Sequence, residues 1–254
     1  MFETIAVMAT GTMGEIALNR PDKLNALSAQ VRQELIDAAR WFDTKTDVKV
    51  VIIKGNGRAF SAGADLTDFD PNNDLRANFD LGRRMADALE EMQAITIAAI
   101  HGWCIGGALV LAAACDLRVA ADDAQFSIPE VDLGIPLAWG GIPRLVREIG
   151  PALTKELVIT CRPFDAAEAK AAGFLNRVVV ADELDSAVNA LALQIVSKPK
   201  MPILATKRHT NAVTAQMVGT GRSWSDADGL ITAQHDLECV EAREAYLAQR
   251  LGKK

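Results

Sequence analysis

Val50-Val51-Ile52-Ile53-Lys54-Gly55-Asn56-Gly57-Arg58-Ala59-Phe60-Ser61-Ala62-Gly63-Ala64-Asp65 is the stretch on which the reading of this chain turns. An apolar run long enough for one buried strand leads into a turn almost without side chains. About forty residues later the same grammar returns: Ile97-Ala98-Ala99-Ile100 leads into His101-Gly102-Trp103-Cys104-Ile105-Gly106-Gly107-Ala108, and an apolar segment runs on to Asp116. Each reads as strand, glycine-rich turn and helix start, a junction that leaves backbone N–H groups unpaired beside the positive end of a helix. Two such turns side by side suit a developing negative oxygen.

Outward from these turns, strand and helix alternate, which predicts an α/β fold. A hairpin is expected over 3–8 and 14–18, and a loop at Asn19–Asp22. A helix capped by Ser28 should run to about Asp43, with Val31, Leu35, Ile36 and Ala39 at helical spacing. A strand is expected over Val48–Lys54, a polar loop or lid over 67–78, and a helix over 79–94. The second turn leads to a helix ending near Ala114, then strands at Leu117–Ala120 and Gln125–Ile128. A helix follows Pro151 to about Thr160. Asp165 and Glu168 read as a capping box on a short helix closed by Gly173. A strand at Val178–Val180 precedes a helix capped by Asp182 and running to about Ser197. Lys198–Pro202 reads as a break, and the remainder is helical in pattern. The expected organisation is therefore a core over residues 1–197 and a helical region over 198–254.

Composition narrows the function. The net charge of −6 over 254 residues argues against a nucleic-acid partner. The four cysteines form no CxxC pair, which together with the absence of an opening signal pattern suggests a cytoplasmic protein with reduced thiols. Ile95–Cys115 carries about twenty uncharged residues, a length that spans a bilayer. Its internal glycines and His101, with no flanking lysine or arginine cluster, favour two buried elements joined by a turn, so no membrane partner is expected. The three histidines lack metal-ligand spacing, and no metal site is expected.

FSAGAD (Phe60–Asp65), the Gly106-Gly107-Ala108 turn, Pro129-Glu130 and the opening NRPDKLNAL (Asn19–Leu27), in this order and spacing, resemble the enoyl-CoA hydratase/isomerase, or crotonase, superfamily. The resemblance covers nearly the whole chain. It implies a crotonase-like spiral of ββα repeats with a C-terminal helical trimerisation region, and a homotrimer or dimer of trimers. It implies an acyl-CoA substrate and no separate cofactor, coenzyme A being part of the substrate. The family's oxyanion hole falls on the backbone N–H groups of Ala64 and Gly107. Lys23, Leu24, Ala62, Asp65 and Leu66 match the coenzyme A path, Gly106 joins them as a substrate-binding candidate, and Arg20 and Lys23 are available to phosphate. Trp139 is a candidate to shape the acyl pocket or stack on a ring, with core packing as the alternative.

Glu130 matches a catalytic glutamate of the family. The second acid of the hydratases falls on Val110, and another position used by some members falls on Ala138. One carboxyl suffices to move a double bond, so isomerisation of a 3-enoyl-CoA to the 2-enoyl-CoA is favoured. The alternatives are hydration with a replacement acid, for which Asp132 is the candidate, and acyl-CoA binding without turnover. A cysteine nucleophile at Gly102-Trp103-Cys104-Ile105-Gly106 is a weaker rival, since no histidine is well placed to activate Cys104; His101 is expected to support its turn by hydrogen bonding.

Overall fold

The computed structural model describes residues 2–69 and 74–251. Strands β1 (Ile5–Thr10) and β2 (Met13–Leu18) form the expected hairpin, and α1 (Ala29–Asp43) begins where Ser28 Oγ accepts the Val31 N–H. β3 (Val50–Gly55), α2 (Leu75–Glu91), β4 (Ile95–Ile100), β5 (Trp103–Ile105), α3 (Gly107–Ala113), β6 (Leu117–Ala121) and β7 (Gln125–Ser127) follow. Then come α4 (Gly141–Thr160), β8 (Phe164–Asp165), α5 (Ala166–Ala171), β9 (Arg177–Val179) and α6 (Leu184–Val196). α7 (Lys200–Met217), α8 (Asp226–His235) and α9 (Leu237–Leu251) complete the described chain.

A six-stranded sheet, ordered β1-β2-β3-β4-β6-β9, is parallel from β2 onward; β5, β7 and β8 form a second sheet. The ββα repeat is visible in register. After β3, Ser61 bridges Cys104; after β4, β5 pairs with β7; after β6 comes β7 itself; and each unit then passes to a helix. Parallel strands covered on both faces read as continuous apolar runs, and β4 is buried at every residue. Alternate side chains divide between two cores. Val51, Ile53, Ala98 and Ile100 face α1, α2 and α3, whereas Val50, Ile52, Ile97 and Val119 face Leu184, Val188 and Leu191 of α6.

Several boundaries differ from the sequence expectation. Helix α2 starts at Leu75 under an Asp74 cap, and Leu66–Phe69 is a 3₁₀ turn, so the expected loop over 67–78 is largely structured; its residues 70–73 lie outside the described residues. Helix α4 opens at Gly141, ten residues before Pro151, and Gly150 at φ +75° kinks it there. Only half of the capping box forms. Asp165 accepts the Glu168 N–H, while the Glu168 carboxylate turns to Arg162, at 2.6 Å. Asp182 lies within a 3₁₀ turn, and α6 has no side-chain cap. The Lys198–Pro202 break is shorter than expected: α7 begins at Lys200, and Pro202 is accommodated in its first turn, where a missing N–H costs no helical bond. Among the described residues no helix is long and apolar enough to cross a membrane.

Candidate functional site

The two glycine-rich turns lie against each other. Ser61 N–H donates to Trp103 O (3.0 Å) and Ile105 N–H donates to Ser61 O (3.1 Å). Gly63, at φ +85°, lies so close to Ile105 that any Cβ there would overlap the Ile105 carbonyl. The NRPDKLNAL segment holds this crossing in place. Asn25, 1% exposed, donates to both Asn56 O and Ala59 O at 2.9 Å, and Ser61 Oγ donates to Asn25 O at 2.8 Å. Leu27 bridges Ala64 in parallel: Leu27 N–H donates to Gly63 O and Asp65 N–H to Leu27 O. That pattern uses the groups on either side of Ala64 and turns its own N–H away from Leu27. Among the described residues, neither the Ala64 nor the Gly107 N–H donates a hydrogen bond. The Gly107 N–H opens α3, as the sequence suggests. The Ala64 N–H does not open an α-helix, because a 3₁₀ turn follows it and α2 starts only at Leu75.

Ala64, Gly107 and Glu130 share one cavity of about 40 Å³. Glu130 reaches it from a turn, not from an extended strand. Leu133 and Ile135 N–H both donate to Glu130 O at 3.1 and 2.9 Å, which curls residues 129–135 and points the carboxyl inward. Asp132 therefore does not share the Glu130 face: it is exposed and is not in the cavity wall. Gly106 N–H donates to Ser127 O (2.9 Å), and its φ of +53° with no side chain makes room for the Glu130 carboxylate, which a Cβ at that position would strike. Burial pushes the Glu130 carboxyl up to about 7, and among the described residues Oε2 has no hydrogen-bond partner. A carboxyl with those properties exchanges protons readily near neutral pH.

Val110 and Ala138 stand in the same wall, both buried. The other two acids there are engaged. Asp65 meets Arg20 Nη1 at 2.8 Å; burial pushes its pKa up, but hydrogen bonds from Thr67 and Arg20 outweigh that and leave it below the usual carboxylate range. Asp68 pairs with Arg32; burial nonetheless leaves its carboxyl raised. Arg20 also donates to Ala26 O (2.6 Å), so it braces the loop instead of standing free for phosphate. Lys23 and Leu66 are exposed; Leu24 is half-buried and accepts the Ala62 N–H at 2.8 Å. None of Lys23, Leu24, Ala62 or Leu66 lines the Glu130 cavity; they flank its approach in sequence. Trp139 does line it. Lys207 is buried and donates to Asp116 Oδ2 (2.8 Å) and Ala94 O (2.9 Å), which fastens α7 to the core. Cys104 is fully buried, and burial pushes its thiol well above the usual range, which disposes of the cysteine nucleophile. His101 Nε2 lies 2.8 Å from Gly57 O, the turn-supporting contact expected of it.

Several wall residues were not singled out by their sequence, among them Arg32, Asp68, Asn78 and Phe79. Arg32 carried a signal, since it sits in the apolar stripe of α1, three and four residues before Leu35 and Ile36. Leu230, from α8, carried none that pointed to the site. It reads as a tail residue but is 3% exposed, packed into the main core and part of the wall.

Unengaged backbone N–H groups from two crossing turns share a cavity with a buried carboxyl, an arrangement chemically able to hold an oxyanion beside a proton carrier. The family model for enoyl-CoA hydratase/isomerase matches residues 9–251, and the chain belongs to that family. A Mycobacterium tuberculosis protein described as a probable enoyl-CoA hydratase is 41% identical over 197 residues, 76% of each chain. The crotonyl-CoA hydratase of Syntrophomonas wolfei is 33% identical over 98% of this chain and 96% of its own. A peroxisomal Delta(3,5)-Delta(2,4)-dienoyl-CoA isomerase of Arabidopsis thaliana is 36% identical over 81% of each. Among solved structures, an enoyl-CoA hydratase of Mycobacterium avium subsp. paratuberculosis superposes with a TM-score of 0.86 at 26% identity, over 95% of this chain and 98% of that one. The crotonase-like fold is thus established, and the chain is that of an enoyl-CoA hydratase/isomerase-type enzyme.

Proposed function

We propose that this protein isomerises a 3-enoyl-CoA to the 2-enoyl-CoA with Glu130 as its single proton carrier. The Glu130 carboxylate removes a proton from carbon 2. The electron pair delocalises into the thioester, and the oxyanion is held by the Ala64 and Gly107 N–H groups. Protonated Glu130 then delivers the proton to carbon 4 as the carbon 2–carbon 3 double bond forms, so nothing is consumed. Oxyanion donors of this kind contribute roughly 3–4 kcal/mol each. Coenzyme A runs past Lys23, Leu24, Ala62 and Leu66 in this reading, no separate cofactor is used, and residues 198–254 assemble a trimer or a dimer of trimers in the cytoplasm.

The observation that carries the reading is that, among the described residues, Glu130 is the one wall carboxyl without an ion-pair partner, while Val110 and Ala138 fill the positions where a second acid would stand. The hydratase names of several relatives favour hydration as the second reading. It requires another group to handle water, and Asp65 and Asp68 are both committed to arginines.

The test is a paired assay of the pure protein with a 3-enoyl-CoA and a 2-enoyl-CoA, following the conjugated thioester absorbance. Isomerisation makes it appear from the first substrate and leaves the second unchanged. Rapid disappearance with the second substrate would overturn the preference in favour of hydration. Tight acyl-CoA binding with neither change would make the protein a binder only.

A further inference from the structure

Beside the Gly107 turn, the cavity wall carries a tightly packed indole, that of Trp139. The volume of about 40 Å³ holds about three water-sized groups. Trp139 forms part of its wall, and this side chain is packed from several directions. Its six-membered ring lies against Gly107 and its five-membered ring against Gly82 of α2, so closely that a Cβ on either glycine would overlap the indole. Its backbone is left-handed, at φ +61°. The Arg32 guanidinium stacks on the ring at 5.0 Å.

Arg32 is itself buried, at 2% exposed. It donates to Asn78 O and Asn78 Oδ1 at 2.7 Å each, to Ser28 O at 3.3 Å, and to Asp68. Arg32, Asp68 and Asn78 share the cavity wall with the indole, so an alkyl chain that displaces the ring would press on this ion pair. Separating or burying it against hydrocarbon is unfavourable. Displacing the indole would in turn break a packed interior that relaxes only partially.

We propose that Trp139 sets the acyl-length limit of this site and confines it to short acyl groups, of about four carbons, with the Arg32–Asp68–Asn78 cluster as the backing that makes the limit stiff. The inference rests on the acyl-CoA reading above and adds the substrate class to it. Glycine at position 82, in the interior of a helix where it is unfavourable, is explained by the same arrangement: it is the space that the indole occupies.

Binding of saturated butyryl-, hexanoyl-, octanoyl- and decanoyl-CoA, measured by calorimetry, tests this independently of the reaction catalysed. In the wild-type protein octanoyl-CoA should bind at least tenfold more weakly than butyryl-CoA. In Trp139→Ala the ratio of octanoyl to butyryl affinity should rise at least tenfold, and in Trp139→Phe it should rise less. Equal or tighter octanoyl binding by the wild type would overturn the proposal. So would an unchanged ratio in both variants. If Trp139→Ala does not fold, the wild-type series and Trp139→Phe decide. Failure to bind any of the four thioesters would refute the acyl-CoA reading itself, an outcome distinct from binding without length preference.

Discussion

Replacing Glu130 by glutamine should stabilise the protein, and only above a defined pH. Burial raises this carboxyl from 4.5 to about 7. Its ionisation in the native protein is then roughly 300-fold harder than in the unfolded chain, which at about 1.4 kcal/mol per factor of ten is about 3 kcal/mol. The sign follows from proton binding. Below pH 4.5 both states hold the proton and the penalty is absent. Between 4.5 and 7 the native state holds more protons than the unfolded state, so stability falls as pH rises; above 7 the full penalty is present. Glutamine cannot ionise, so the stability difference between Glu130→Gln and wild type should be near zero at pH 4.5 and about 3 kcal/mol in favour of the variant at pH 8.5. Urea unfolding at four pH values between these limits reads the difference, with protein concentration held fixed because assembly would shift the midpoint. A difference that does not change with pH would refute the argument that Glu130 is buried and raised. The same group predicts the activity profile: kcat/KM should climb about tenfold per pH unit up to about 7 and then level off, and the variant should lose roughly 10²–10⁴-fold. A gain in stability joined to a loss of activity is the expected signature of a site held in a costly state.

Gly106→Ala places a methyl group on the Glu130 carboxylate and forces a side chain onto φ +53°; activity should fall at least about 100-fold and stability by about 1–3 kcal/mol, read by steady-state kinetics and urea unfolding. Intact activity would mean that Glu130 acts from another position. Val110→Glu puts a second carboxyl in the cavity wall and should raise hydration of a 2-enoyl-CoA above a very low wild-type baseline, with reduced stability at neutral pH from the buried charge; fast hydration by the wild type would show that the second acid is not missing. Deleting residues 198–254 removes Ala227, Leu230 and Ala233 from the main core, so the truncated chain should aggregate or fail to bind acyl-CoA, while the full chain should sediment as a trimer or hexamer. A full-length monomer at micromolar concentration would count against the assembly.

The strand-turn-helix order, the hairpin, the Ser28 cap and the two glycine-rich turns were legible because each is a local pattern. Apolar runs, capping residues and glycines act within a few residues of themselves. Glu130, Ala64 and Gly107 were legible by motif, and the cavity does unite them. Boundaries failed where a helix formed without its expected signal, as at Gly141 and Lys200, or where a cap found a better partner, as Glu168 did in Arg162. What the sequence by itself determined about this protein is a set of elements and the backbone turns that frame the candidate site. The tertiary structure alone decided that Asp132 is exposed, that Asp65 and Asp68 are neutralised by arginines, and that Lys207 is spent on Asp116. It alone brought Arg32 of α1, Asn78 of α2, Trp139 and Leu230 of α8 around one small cavity. Charge pairing and cavity size depend on side chains from distant segments meeting at ångström separations, and no periodicity along the chain encodes those meetings.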